Sequence, residues 1–329
     1  MRHSRLPLLS LLSMVLISLT AGRPVSGQTL EKIRIAYSGT GTNNYVTEVA
    51  QRSGTFRRNG LDVEVIYIGS GSLLMQALVA GTFLIGMSQG SEAIAAKLAG
   101  VDVRIAATIA NHFNHVFLTS RAITSIKQLK GKRVAVSRFG SGSHFMTNLV
   151  LKEGGLDPDK DVTALQIGNS AARMAAILSG TVDGTIMAGD FIPKARKEGF
   201  NVLVDLSDLK IEYPFLTFNI PASTIDRNFK TVKAFIKSAS EAIKILQTDP
   251  AAAKNAIRVA LRTDDPETLE FAANRSARLL ERRPFPTPAA IQMVLEELGS
   301  KEPKAKSGKF EDFVDLRALR ELEKEGAFK

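Results

Sequence analysis

The chain has 329 residues, with 43 Lys and Arg against 33 Asp and Glu, a formal charge of +10 at neutral pH. Cysteine and tryptophan are absent, so a disulfide scaffold, a thiolate metal centre and a thiol-linked lipid anchor are not expected. Basic residues are scattered among acidic neighbours and aromatics make up only 6%, which argues against a nucleic-acid partner.

Arg2, His3 and Arg5 lead an apolar run from Leu6 to Leu19. The run is too short to cross roughly 30 Å of hydrocarbon and has the form of a secretory signal peptide. Val25-Ser26-Gly27 puts small residues before a cut at Gln28, with Ala21 as the alternative. Residues 1–27 are therefore predicted to be removed, and their three arginines with them, which takes the charge from +10 to +7. The expectation is a soluble, exported protein, free in a periplasm, whose weak positive field favours a small anion.

From Ile33 to about Asp205, short β-branched runs alternate with helical stretches, the pattern of a largely parallel α/β fold. Strands are predicted at 33–37, 63–68, 83–87, 103–109 and 116–119, with helices at 45–52, 73–80 and 91–98. A second series has strands at 133–136, 162–167, 184–187 and 202–205, and helices at 143–152, 171–179 and 191–198. Tyr213 to Asn219 reads as a strand returning to the first block. Thereafter the spacing turns helical: Phe229, Val232, Phe235, Ile236, Ala239, Ala242, Ile243 and Leu246 form one apolar stripe. Further helices fit 251–261, 266–281, 288–298 and 316–324.

This arrangement predicts a signal peptide (1–27), a discontinuous first lobe (28–119 plus 217–329) and a second lobe (120–216). Crossings near Thr119 and Phe215 would allow hinge closure.

Several predicted strands end in small polar residues just ahead of a helix: Ser38, Thr40 and Asn43 after the first, Ser70 after the second, Ser88 and Gln89 after the third, Asn111 and His112 after the fourth. In the second block Ser141, Gly142 and Ser143 follow one strand and Asp190 another. Ligands of open α/β sheets sit beyond the carboxyl ends of the strands, where helix N-termini present unpaired N–H groups. The recurrence points to one polar site built from both lobes. His112 and His144 are further candidate donors to an anion.

Three rivals are weaker. Gly39-Thr40-Gly41 lacks the third glycine of a dinucleotide loop. Gly86-Met87-Ser88-Gln89-Gly90 matches a hydrolase nucleophile elbow, but the last histidine is His144, so a base late in the chain is missing; a secreted serine hydrolase using Ser88 is the alternative function. His112 and His115, three apart on an extended segment, have no carboxylate or thiol cluster around them, and no metal or cofactor is expected.

The segments Ile33-Arg34-Ile35-Ala36-Tyr37, Gly54-Thr55-Phe56-Arg57-Arg58-Asn59-Gly60-Leu61-Asp62-Val63, Leu129-Lys130-Gly131-Lys132-Arg133-Val134 and Ile177-Leu178-Ser179-Gly180-Thr181-Val182-Asp183-Gly184 make the chain resemble the periplasmic substrate-binding proteins of nitrate, sulfonate and taurine-type ABC transporters, a group that includes thiamine-pyrimidine-precursor binders. The resemblance implies a type II periplasmic binding fold with two lobes and two hinge strands. It also implies a small-molecule ligand in the cleft, an inner-membrane permease as partner, a monomer and no enzymatic activity. The strand-end residues above would be ligand contacts. With no tryptophan, stacking on a ring would fall to Phe139, Phe191, Tyr213 or Phe215, and no arginine stands at an obvious strand end to grip an acid. Sulfonate, carboxylate and pyrimidine ligands remain open, as does a role in sensing instead of transport.

Overall fold

The computed structural model describes residues 29–39 and 41–328; the predicted signal peptide and Thr40 lie outside them. Two five-stranded sheets organise the chain. The first is built from β1 (Glu31–Ser38), β2 (Leu61–Ile68), β3 (Ile85–Ser88), β4 (Val103–His112) and a late strand, β10 (Glu212–Pro221), in the order β2-β1-β3-β10-β4. The second holds β5 (His115–Thr119), β6 (Arg133–Val136), β7 (Thr163–Gln166), β8 (Gly184–Ala188) and β9 (Asn201–Asp205), in the order β7-β6-β8-β5-β9.

Pairing is parallel between β1 and both β2 and β3, and between β6 and both β7 and β8. The exceptions are the two strands that arrive from the other sheet. β10 runs antiparallel to β3 and β4, and β5 antiparallel to β8 and β9. In the β1–β2 ladder Ile33 faces Val63 and Ile35 faces Val65. Arg34 and Glu64, opposite each other and exposed, form a 2.9 Å ion pair. Alternation thus fixes the register, because a slip of one residue would turn the isoleucines outward.

Helices α1 (Thr42–Arg52), α2 (Thr55–Arg58), α3 (Gly71–Val79) and α4 (Gly90–Leu98) surround the first sheet, and α5 (Gly142–Glu153), α6 (Ser170–Leu178) and α7 (Ile192–Lys197) the second. After β10 come α8 (Ala222–Arg227), α9 (Phe229–Thr248), α10 (Pro250–Leu261), α11 (Pro266–Leu279), α12 (Pro288–Leu298), α13 (Phe310–Phe313) and α14 (Arg317–Lys324). The predicted stripe of α9 is buried, and Phe235 stacks on Phe56 of α2 and meets Phe218 of β10 edge-on. Asp249 caps α10 by accepting from the backbone N–H groups of Ala251 and Ala252, with Pro250 at the first helical position. Among the described residues no helix is long and apolar enough to cross a membrane.

The crossings between sheets lie earlier than the sequence indicated. The sequence puts strand 116–119 in the first lobe, yet β5 pairs with β8 and β9, so the chain changes sheet at Phe113–Asn114. It returns between Asp205 and Glu212 instead of at Phe215. The two passages touch: the rings of Phe113 and Tyr213 stack at 4.2 Å. Arg275 of α11 binds both, donating from Nε to the Asn114 side chain and gripping Asp205 with two bonds of 2.7 and 2.8 Å.

Candidate functional site

Between the sheets lies a cavity with walls from both. From the first come the ends of β1 and β2 and the starts of α1, α3 and α4, bringing Ser38, Thr42, Tyr67, Ser70, Gln89 and Glu92. From the second come Ser137, Ser141, Gly142 and Ser143 before and in α5, and Ser170 and Arg173 of α6. Asn114, His115 and Phe215 line it near the crossings. Its free volume of about 50 Å³ matches roughly three to five water molecules at 10–15 Å³ each, the bulk of a small acid group.

Ser38, Ser70, Gln89, Ser141, Gly142 and Ser143 thus come together as the strand-end argument required. The head of α5 is a ring of hydroxyls: Ser137 Oγ donates to Ser141 Oγ at 2.8 Å, and Ser141 and Ser143 lie 3.0 Å apart. Ser141 also accepts from the His144 N–H as helix cap.

The other candidates are elsewhere. Ser88 is fully buried on β3; its hydroxyl accepts from Asn219 Nδ2 at 2.9 Å and bonds Glu92. It sits inside the strand instead of on an exposed elbow, and its partners include no histidine base, so the hydrolase alternative lacks a nucleophile. Asn111 belongs to β4, which runs three residues past its predicted end, and its amide is tied to Glu281 and to the Phe285 carbonyl. His112 is exposed and lines a separate groove with Arg278 and Glu281. Tyr213 is buried beneath the cavity, where its hydroxyl bonds Ser91 and donates to Gln89 Oε1, both at 2.7 Å. It positions a lining residue without being one. Asn43 falls in the first turn of α1.

Asp190 is buried outside the lining. Its Oδ2 accepts from Tyr45 at 3.0 Å, and a Cβ on Gly41, the residue preceding α1, would stand 2.5 Å from that oxygen. Oδ1 has no partner. Burial pushes this carboxyl up to about 6 against the pull of Tyr45, Arg275 and Asn114. Its unfolded value is near 3.9, so the folded state binds the proton more tightly. Stability then falls as pH rises from about 4 to about 6, by up to roughly 3 kcal/mol, and levels off above. The Asp190→Asn variant is expected to lack this fall, gaining on the wild type between pH 4 and pH 7 in urea titrations; parallel curves for the two proteins would remove Asp190 as the source.

Among the lining residues that the strand-end pattern does not mark, two carry charge, Arg173 and Glu92. Arg173, in the first turn of α6, is 4% exposed. Its Nη atoms donate to the carbonyls of Gly168 and Ile186 at 2.6 and 3.1 Å, while its Nε has no acceptor among the described residues. Burial lowers its pKa to about 10 against the pull of the Tyr67 hydroxyl, and no carboxylate among the described residues is a cause of that shift. It is a cation at neutral pH without a carboxylate partner among the described residues, and it reaches the cavity from a helix and not from a strand end. Glu92, also buried, accepts from the N–H groups of Gly142 at 2.8 Å and Gln89 at 3.2 Å, joining α4 to α5 across the cavity. Burial raises its pKa, opposed by those N–H groups and by the Ser88 hydroxyl. His115, pushed down to about 3 by burial and by the Arg173 and Arg275 guanidiniums, is neutral, so it does not weaken the local need for an anion.

Two sheets, each completed by one strand from the other side and enclosing a polar cavity, define the periplasmic-binding class of fold. Residues 42–253 match the sequence profile of the NMT1/THI5-like family, and the chain belongs to that family. It is 25% identical over 268 residues to the putative binding protein YtlA of Bacillus subtilis, covering 79% of each chain. To a putative binding protein of Brucella abortus it is 26% identical over 198 residues, 60% of this chain and 59% of that one. Among solved structures, the alkanesulfonate-binding protein SsuA of Xanthomonas axonopodis, bound to MOPS, superposes with a TM-score of 0.69 at 18% identity, over 83% of this chain and 93% of that one. The periplasmic nitrate-binding protein NrtA of Synechocystis gives 0.70 at 15% identity, over 90% and 89%.

Proposed function

We propose that this protein is the extracytoplasmic solute-binding component of an ABC importer, which encloses a small organic anion between two lobes and presents it to a membrane permease. One observation carries the ligand's charge: Arg173 lies buried in the cavity wall with no counter-ion and no acceptor for its Nε among the described residues. A buried charge without a partner is strongly destabilising, and a bound carboxylate or sulfonate would answer it by accepting from the guanidinium fork. The SsuA and NrtA folds, and relatives named as binding proteins, support the same reading.

The first lobe in this reading comprises residues 29–112 with the chain from 212 onward, and the second residues 115–205. The links between them act as the hinge. The protein works as a monomer in the periplasm without cofactor or catalysis. Thermal or chemical unfolding against a panel of sulfonates, carboxylates, nitrate and pyrimidines tests this. A ligand at 100 times its Kd is expected to add about 2.7 kcal/mol, and the responders should all be anions. A panel in which only neutral compounds stabilise, or none does, overturns the proposal.

A further inference from the structure

We propose that closing the two lobes is coupled to uptake of a proton at Asp190, so that mild acid favours the shut form and neutral pH the open one. The inference rests on the hinged, two-lobe reading and adds a means of regulating it.

Asp190 sits in the turn Gly189–Phe191 that follows β8, on the second lobe, and is 1% exposed. Part of its cover comes from the first lobe. Tyr45 of α1 donates to Oδ2 at 3.0 Å from across the gap between the lobes, and a Cβ on Gly41 would stand 2.5 Å from the same oxygen and 3.4 Å from the Ala188 side chain. Oδ1 is buried with no partner among the described residues. Ala188 and Thr42, close in sequence to Asp190 and Gly41, both line the cavity. Opening the cavity therefore parts α1 from this turn and lets water reach the carboxyl.

A buried carboxylate without full pairing is costly, and taking up a proton removes the cost. The groups around Asp190 do not supply that pairing. Arg275 of α11 lies beside Gly189, but its nitrogens are committed to Asn114, Asp205 and Ser207. Its charge and the Tyr45 and Asn114 side chains favour the carboxylate, and burial outweighs them, leaving the value at about 6. Tyr45 stays protonated, because burial and Asp190 both raise it. His115 of β5, opposite Ala188 in the ladder, is neutral down to about pH 3. In the open form a hydrated Asp190 returns to about 3.9. The shut form thus takes a proton from solvent onto the carboxyl, and the ratio of shut to open rises about tenfold from pH 7.5 to pH 5, levelling off below about pH 4. Glu92, the other buried carboxyl that bridges the lobes, has a backbone N–H on each oxygen. Burial raises it too, and comparing the wild type with Asp190→Asn cancels its share.

Distance measurements between two spin labels test this without a ligand. The chain has no cysteine, so Val79→Cys on α3 and Leu178→Cys on α6, both at exposed positions, place one label on each lobe. Pulsed electron resonance should resolve two separations whose proportions shift toward the shut form by about tenfold between pH 7.5 and pH 5. Asp190→Asn should hold the proportions nearly constant over that range. Tyr45→Phe, which removes a bond that favours the carboxylate, should move the midpoint to higher pH. The labelled protein with Asp190 intact needs neither further variant, so it decides the matter even if Asp190→Asn disturbs the fold. Two separations in proportions indifferent to pH, or a response of undiminished size in a folded Asp190→Asn protein, overturn the inference and leave the hinged reading standing. A single separation at every pH, with and without ethanesulfonate, propanoate or nitrate, overturns the hinged reading itself, and this inference with it.

Discussion

Replacing Arg173 by methionine is expected to weaken binding of the tightest anion by about two orders of magnitude or more, with little loss of stability in the empty protein. Truncating one member of a buried, hydrogen-bonded charge pair typically costs about 2–5 kcal/mol of binding, and Arg173 is a cation of the cavity wall with no counter-ion among the described residues. The stability forecast comes from the same desolvation. In the ligand-free protein the guanidinium is buried for the sake of two carbonyls and the Ser170 hydroxyl, and apolar replacement of buried charge is often neutral or favourable. Arg173→Lys keeps the charge but loses the planar fork, so its affinity should fall between the two. Calorimetry and urea unfolding on the same samples separate the effects. Unchanged affinity in Arg173→Met would show that the acid binds elsewhere.

Arg275→Met should have the reverse profile, a large loss of stability. The pair with Asp205 is mostly buried, with side chains 10% and 18% exposed, and removing one partner of such a pair costs about 3 kcal/mol or somewhat more. The same guanidinium holds Asn114, so one substitution frees both inter-sheet links. Burial pushes the Asp205 carboxyl up, yet Arg275 and Ser207 bring it below its ordinary value. The pair's stabilisation is therefore complete above about pH 4, the unfolded value, and is lost as pH falls through the lowered folded one. Urea midpoints for wild type and Arg275→Met should converge in acid. A loss under about 1 kcal/mol at pH 7, or curves that stay parallel below pH 4, would rule out the pair as a support of the crossing. Asp205→Asn in the Arg275→Met background should cost little more, since the partners are in direct contact.

The sequence made the scaffold legible because its signals are local. β-branched runs ending in Ser38, Ser70 and Ser141 marked strand ends, and the periodicity of α9 marked a buried helix face. Half of the site followed, since small polar residues at strand ends converge by topology alone. The rest depends on contacts between distant segments. Glu92 in the first turn of α4 reads as an ordinary helix-start acid, and only the approach of Gly142, 50 positions on, makes it an inter-sheet acceptor. Arg173 looks like a surface residue of an amphipathic helix until the Ile186 carbonyl is seen beneath it. Ser88 and Tyr213, which the sequence suggests as ligand contacts, lie outside the lining for the opposite reason. Polar atoms in a fully buried strand must find internal partners, and Asn219, Ser91 and Gln89 supply them. The sheet to which β5 belongs is not legible in the sequence because the change of sheet takes only the two residues Phe113 and Asn114, without a turn motif to announce it.

Inserting β10 between β3 and β4 bears on how the polypeptide assembles. When residues up to 205 have emerged, the strands that will flank β10 still face an open slot, each with a row of unsatisfied N–H and carbonyl groups. Such a gap is a template for intermolecular strand capture. A truncated product stopping before Glu212 should consequently clump, and a synthetic peptide spanning 212–221, added in trans, should compete for the vacancy.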